Sequence, residues 1–315
     1  MSYTRAIVLN ACGGDLKIGF IGAGKVGVSL GKYLKDHHCN LTGYYSKTLE
    51  SAKEAATFTQ STCFESKLAL IEKSDIIFVT VNDNSISSVL LDIPTKYLEN
   101  KILCHCSGAL TAKKAFSALN CQNTAIYSLH PLCAVSSKTQ SYKTFDKIAF
   151  FMEGSQSRFF EFEDFLKAAG LKVYRIKAEL KKQYHLAASI VSNQVVAVCS
   201  KGIKVFKALG FDDKTALEAL SPLMAFNMDN IVKQGCVGAL TGPVQRGDIQ
   251  TIEKHLSCID ERQDRLLYCL LSKELVTLAK QKDPTKDFNH IDDLLNKEIK
   301  ESTWKLQLQL LQSEK

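Results

Sequence analysis

Leu16-Lys17-Ile18-Gly19-Phe20-Ile21-Gly22-Ala23-Gly24-Lys25-Val26-Gly27 reads as a short apolar strand, a glycine turn and the opening of a helix. The helix pattern continues from Lys25 to about Asp36. A dinucleotide fingerprint requires that context. The first glycine allows the tight turn, the second lets a pyrophosphate reach the backbone, and the third lets helix and strand pack closely. The helix N-terminus then offers unpaired N–H groups and the positive end of its dipole to phosphates. Gly22, Ala23, Gly24, Lys25, Val26 and Gly27 are the expected cofactor-binding residues. The rival reading is a tight turn that binds nothing.

The pattern continues outward from this turn. Leu41–Tyr45 reads as a second strand and Glu50–Thr57 as a helix. Asp75–Val81 is almost continuously apolar and β-branched, as in a strand covered on both faces of a parallel sheet. Lys101–Cys106, Thr124–Ser128, Lys147–Met152 and Leu171–Ile176 are further strands. Strands alternating with helices predict right-handed βαβ units and a doubly wound, mostly parallel α/β sheet of the Rossmann type. After about Ala178 the strand signal stops. Leu180–Leu209, Asp213–Lys233, Asp248–Lys282 and His290–Leu311 read as helices, with breaks at Gly210-Phe211-Asp212, Gly242-Pro243 and Asp283-Pro284. The expected organisation is a Rossmann domain over 16–178, followed by an all-α domain over 179–315.

Composition narrows the class. With 315 residues there is room for two domains, and 45% hydrophobic with 23% charged residues is a folding composition, not a disordered one. No uninterrupted apolar run reaches the roughly 18 residues that a membrane span needs. Met1–Asp15 lacks the charged head and long apolar body of a signal peptide and reads as a short leader without assigned function. The 11 cysteines are scattered, and Cys104-x-Cys106 has neither zinc-hook nor redox-pair spacing. No metal is expected, and a reducing, cytoplasmic setting is. The net charge of +7 comes without a basic block, which argues against nucleic acid. A mild positive field suits an anionic cofactor and an anionic substrate.

The second strand ends in Tyr45-Ser46-Lys47, where NAD sites usually carry an acid. Ser46 and Lys47 there would bind a 2′-phosphate, so NADP(H) is the expected cofactor; a solvated surface lysine is the alternative. Ligands in such folds lie beyond the carboxyl ends of the strands. Val81-Asn82-Asp83 and His105-Cys106-Ser107-Gly108 end two strands and belong near the reactive ring. Ser107 and Gly108 bring a hydroxyl and a bare backbone there. Asp83 also suits a helix cap, and His105 a buried strand-end histidine. His130-Pro131 ends another strand, either as a turn or with the imidazole facing the cleft.

His185, Ser189 and Asn193, spaced i, i+4, i+8, predict a polar stripe on one face of an otherwise apolar helix. The stripe serves either substrate or helix packing. His185 is the preferred proton donor, because an imidazole suits acid–base work near neutral pH, with Lys182 in reserve. Leu240–Asp248 contains a stop at Gly242-Pro243, then Arg246 and Asp248. Arg246 either clamps a substrate carboxylate or pairs with Asp248, which is also a natural N-cap.

The glycine turn, His105-Cys106-Ser107-Gly108, His130-Pro131, Lys182–Ser189, Asn193, Leu240–Asp248 and His255 together resemble a bacterial reductase family. That family joins a Rossmann-like domain to a helical domain long without assigned function. The resemblance spans about residues 16–280. The helical domain is similar to those of 6-phosphogluconate dehydrogenase and pyrroline-5-carboxylate reductase. Some members serve as alternative ketopantoate reductases in pantothenate synthesis. The resemblance implies NADPH, a homodimer through the helical domain and a small 2-oxo acid, with ketopantoate first. Related dehydrogenases carry a Lys and an Asn on the helix that here holds His185; this chain has no Lys on its inner turns. An imine reductase of the pyrroline-carboxylate type and a non-catalytic NADP(H) sensor are the alternatives.

Overall fold

The computed structural model describes residues 16–119 and 123–313. The expected leader, residues 1–15, lies outside them. The strands are β1 (Lys17–Ile21), β2 (Asn40–Tyr45), β3 (Thr62–Cys63), β4 (Ile76–Val79), β5 (Ile102–His105), β6 (Ala125–Pro131), β7 (Ala149–Gly154) and β8 (Lys172–Arg175). They form one sheet in the order β3-β2-β1-β4-β5-β6-β7-β8. Every neighbouring pair is parallel except β6–β7, which is antiparallel. The order reverses at β1, flanked by β2 and β4, which is the switch point of a doubly wound sheet. The register sets Ile21 against Tyr45 and Val79, Val79 against His105, and His105 against Ser128. The segments that follow these residues therefore leave along one edge.

Alternation sorts the strand side chains into two apolar layers. Ile18, Phe20, Ile76 and Phe78 face a layer that includes Val28, Leu34, Ala52, Phe162 and Leu166. Ile21, Ile77, Val79 and Leu103 face Leu70, Ile71, Ile86 and Phe116. Tyr44, Phe20 and Phe78 stack across three adjacent strands, with ring centroids 5.2 and 5.1 Å apart. Burying each such ring contributes roughly 1.5–3 kcal/mol. This stack stiffens β1 immediately before its glycine turn.

The chain divides into two compact units, 1–196 and 197–315. The sequence placed the change of pattern near Ala178. The helix Lys181–Ser189 nevertheless groups with the sheet, because Lys181 is buried and Tyr184 packs on His130 and Phe151. A π turn, Ile190–Gln194, joins it to the helix Val195–Ala208. That turn was not anticipated.

The second unit is helical. Asp213–Ala239 extends beyond the expected end at Lys233 and bends where Gly235 takes φ 70°. The expected single helix over Asp248–Lys282 is instead two, Ile249–Ser257 and Arg262–Lys282. The apolar period carries through the break, so no glycine or proline marks it. Asn289–Ser313 closes the chain described. Leu240, Val244, Ile252, Leu256, Cys269, Val276, Phe288, Ile291 and Leu295 form this unit's core. Arg265 pairs with Glu298 at 2.6 Å across two of its helices.

Large apolar side chains also stand in the open. Val196, Leu223, Phe226 and Val232 are 69%, 67%, 68% and 85% exposed. Among the described residues one helical stretch, Ala178–Ala208, is long and apolar enough to cross a membrane by length and composition, with a mean hydropathy of 1.3. A search for an unbroken apolar run misses it, because Ser189, Ser192, Asn193 and Gln194 interrupt the Ala, Val and Ile around them.

Candidate active site

The glycine turn has the form the fingerprint requires. Gly22 has φ 107°, and a β-carbon there would stand 2.7 Å from the Thr80 carbonyl oxygen. A β-carbon on Gly27 would meet Thr80 Oγ1 at 2.3 Å and the Gly22 carbonyl at 2.7 Å, so helix and strand pack through a bare backbone. At Gly24 the nearest such contact is 3.8 Å, which leaves the second glycine open on its outer side. Thr80 Oγ1 donates to the Gly22 carbonyl at 2.9 Å, and Gly22 N donates to the Tyr45 carbonyl at 2.8 Å. The loop is thus pinned to the ends of β4 and β2. Thr80 was not singled out in the sequence, although it lies in the apolar run that was.

Gly24 caps the helix Lys25–Asp36 with no side-chain acceptor. The first N–H groups of that helix therefore lack intrahelical partners and suit a pyrophosphate. Gly24 and Lys25 are exposed, Val26 is partly buried, and Ala23 is buried beneath. Ser46 is half-buried and Lys47 exposed beyond β2, next to the pinned loop, and Lys47 makes no ion pair among the described residues. These residues fit an NADP-type dinucleotide: open amides for the pyrophosphate, then a hydroxyl and a free ammonium at the ribose end.

Beyond β4, Val81 is half-buried and Asn82 exposed. Asn82 occupies the cap position of the short turn Asp83–Ile86, without a side-chain bond. Asp83 does not cap it. Its Oδ2 accepts from Ser107 Oγ at 2.6 Å. Ser107 Oγ also accepts from Leu110 N at 3.1 Å, and Ser107 N donates to His105 Nδ1 at 3.1 Å. Ser107 therefore shapes the loop after β5, and its one hydroxyl proton is committed to Asp83. His105 is fully buried against Phe116, centroids 5.7 Å apart. Burial, followed by the Lys181 charge, pushes its imidazole down to about 3. It is a neutral strand-end histidine.

Three candidates from separate segments do converge. A β-carbon on Gly108 would lie 2.6 Å from His185 Nδ1 and 2.9 Å from His130 Nε2. The two imidazoles, with centroids 6.1 Å apart, thus meet over the bare backbone of Gly108. His130 Nδ1 and Tyr184 Oη are 2.7 Å apart, and the Tyr184 ring leans on Phe151 at 4.6 Å. Burial pushes the Tyr184 phenol up to about 12. Burial, then the Lys181 and His185 charges, lower His130 to about 4, while Asp83 opposes them. Tyr184 was missed as a single residue, although it lies inside the Lys182–Ser189 segment.

Beside this pair a cavity of about 470 Å3 is lined by His130, Phe151, Tyr184, His185, Ser189 and Asn193, among others. Volumes of this order take small molecules. Ser189 and Asn193 are on opposite sides of the start of the π turn, so the stripe is not a straight α-helical face, yet all three expected polar residues reach the cavity. Asn193 Oδ1 accepts from Ser192 Oγ at 2.9 Å, which leaves its amide N–H groups to donate. Lys182 is exposed and outside the lining, whereas its neighbour Lys181 is buried. In the second unit, Asp248 caps the helix Ile249–Ser257 by accepting from Thr251 N at 3.0 Å and Thr251 Oγ1 at 2.7 Å. Among the described residues Arg246 makes no ion pair with Asp248.

The fold and site define a class, a Rossmann domain carrying a dinucleotide turn followed by a helical domain. Residues 17–107 match the family described as NADP oxidoreductase, coenzyme F420-dependent. Residues 148–275 match a domain of unknown function, DUF2520. The N-terminal domain is thus of the NADP oxidoreductase type, and NADP is its dinucleotide. Among solved structures the chain is similar to a protein of Thermotoga maritima, with 26% identity, TM-score 0.64, and coverage of 84% of this chain and 99% of that one. It is also similar to a protein of Bacteroides fragilis described as an NADP oxidoreductase, with 24% identity, TM-score 0.62, and coverage of 84% and 98%. A third is a pyrroline carboxylate reductase of Plasmodium falciparum with NADP bound, with 16% identity, TM-score 0.56, and coverage of 85% and 97%. The last two likenesses carry the fold alone. No curated protein matches.

The buried histidines make a pH prediction. His105 and His130 bind protons more weakly in the fold than in the unfolded chain, from about 3 and about 4 against 6.5. Their contribution is complete above pH 6.5 and is lost as pH falls through that window, because the unfolded chain then holds more protons. The urea midpoint should fall steadily between pH 6.5 and 4, and His130→Gln should flatten that fall. Parallel slopes for the two proteins would contradict the assignment.

Proposed function

We propose that this chain is an NADPH-dependent reductase of a small 2-oxo acid, of which 2-dehydropantoate is the first candidate. The observation that carries the catalytic reading is the meeting of His130 and His185 over Gly108, beside a cavity of small-molecule size. The bound dinucleotide supplies a hydride to the carbonyl carbon. Gly22 to Gly27 hold its pyrophosphate, and Ser46 and Lys47 its 2′-phosphate.

The side chains manage the oxygen. Tyr184 Oη and His130 Nδ1 share one hydrogen bond, and in the tautomer where the phenol donates, neutral His130 presents Nε2–H toward Gly108. Asn193 adds an amide donor. Donors already aimed at the reacting oxygen stabilise the developing alkoxide before any proton moves. His185, as imidazolium, then gives that oxygen its proton, completing the alcohol. Ser107 and Asp83 act by holding Gly108 in place, and Ser189 lines the approach.

An imine substrate is the second reading. The same donors would serve a C=N group. Purified protein assayed for NADPH oxidation with ketopantoate and with pyrroline-5-carboxylate separates the two. Oxidation with neither, nor with any other small oxo acid, would leave the non-catalytic sensor. His185→Ala should lower turnover by about a hundredfold or more without changing NADPH affinity; unchanged turnover would remove His185 from the chemistry. Lys47→Ala should weaken NADPH by about ten- to a hundredfold and leave NADH unaffected, since it deletes a charge-assisted contact to the 2′-phosphate alone. Equal weakening of both would refute that contact.

A homodimer through the helical unit is part of the proposal. Its support is the series of exposed apolar residues, Leu217, Leu223, Phe226 and Val232, far beyond the isolated ones of a monomer surface. Light scattering should give twice the chain mass, and Phe226→Asp with Val232→Asp should give the single mass. A wild-type monomer would end the idea.

A further inference from the structure

Lys181 is an unusual lysine. It is 2% exposed and sits one helical turn before Tyr184 and His185. Its Nζ donates to Ser128 Oγ on β6 and reaches Glu153 Oε1 on β7 at 3.4 Å. Ser128 Oγ in turn donates to the Ser107 carbonyl at 3.3 Å. Glu153, 4% exposed, accepts at the same Oε1 from Ala112 N at 2.8 Å. One ammonium therefore joins the helix of Tyr184 and His185, the strand of His130, the strand of Glu153, and both ends of the loop that carries Ser107 and Gly108.

A buried pair of this kind is a poor way to gain stability, since desolvating two charges costs about as much as their attraction returns. Apolar side chains of the same volume would hold these elements as well. A positive charge near His130 has a use that apolar packing lacks.

We propose that Lys181 is a positioning residue, which ties the helix of Tyr184 and His185 to the strand ends and to the Gly108 loop and sets a positive charge near His130. The inference rests on the reductase reading for its purpose, though not for its test. With that charge in place, a proton on His130 is doubly unfavourable, by burial and by repulsion. His130 stays neutral and free to act as a hydrogen-bond donor through Nε2–H. The groups facing His130 are Lys181, Tyr184 and His185 from the helix and Asp83 from the turn after β4. Those facing Lys181 are Glu153 on β7, Ser128 on β6, and Cys104, His105 and Cys106 on and after β5. Burial pulls the Lys181 ammonium down from its usual range, and Glu153, followed by the two thiols, opposes that pull.

The test follows the imidazole proton of His130 by NMR, with its signal assigned through His130→Gln, in Lys181→Met and in the pair Lys181→Met with Glu153→Gln. The double variant removes both charges and leaves no lone carboxylate in the interior, so it should keep the fold where the single one loses it. Loss of the Lys181 charge should raise the His130 titration by about one pH unit. Where turnover is measurable, the fall in rate on the acid side should move to higher pH by the same amount, a change that loosened packing alone would not produce. An unmoved His130 titration in a folded variant would overturn the proposal, and so would collapse of both variants, which would make Lys181 a structural residue only. A protein that oxidises NADPH with no substrate would defeat the reductase reading, while the imidazole titration would still judge Lys181.

Discussion

Thr80 is the point on which the cofactor end of the molecule depends. Its hydroxyl donates to the Gly22 carbonyl, and its own atoms occupy the space that β-carbons on Gly22 and Gly27 would need. Backbone can approach backbone only because both residues are bare there. The turn after β1, the end of β4 and the first turn of the Lys25–Asp36 helix are locked together by that approach. The open face of Gly24 and the unpaired amides follow from it. So does the position of Ser46 and Lys47, since Gly22 N is bonded to the last residue of β2.

A second constraint governs the reacting end. The sheet interior offers little water, so each polar group there must find a partner or stay uncharged. His105 Nδ1 accepts from Ser107 N and the ring stays neutral, its buried Nε2 having no hydrogen-bond partner among the described residues; Ser107 donates to Asp83, and Lys181 is shared between Ser128 and Glu153. The consequence is a rigid Gly108 loop under two imidazoles with different surroundings. His130 is half-buried, tethered and neutral, whereas His185 is exposed to solvent. Two histidines in one site can therefore take separate duties, one as a fixed donor and one as a proton carrier.

The helical unit follows a different logic. Its own core is formed by residues from Leu240 onward, with Lys273 paired to Asp292 and Arg265 to Glu298. The long Asp213–Ala239 helix buries little beyond Ala216. Its apolar side chains Leu217, Leu223, Phe226 and Val232 stand open instead.

Local information decided the fold. The glycine turn, the β-branched run around Thr80 and the loss of strand signal after Ala178 are each read within a few residues, and backbone sterics and side-chain period act over that range. The antiparallel β7, the break before Arg262 and the π turn at Ile190–Gln194 were not legible, because pairing direction and helix interruption depend on contacts distant in sequence. The candidate site divides in the same way. His105, Ser107, Gly108, His130 and His185 were visible as chemistry, but not which of them meet. Lys181 and Lys182 are identical neighbours in the sequence. Only the angle at which their helix docks on the sheet buries the first and leaves the second in water, and that angle is set by packing, which no single segment contains.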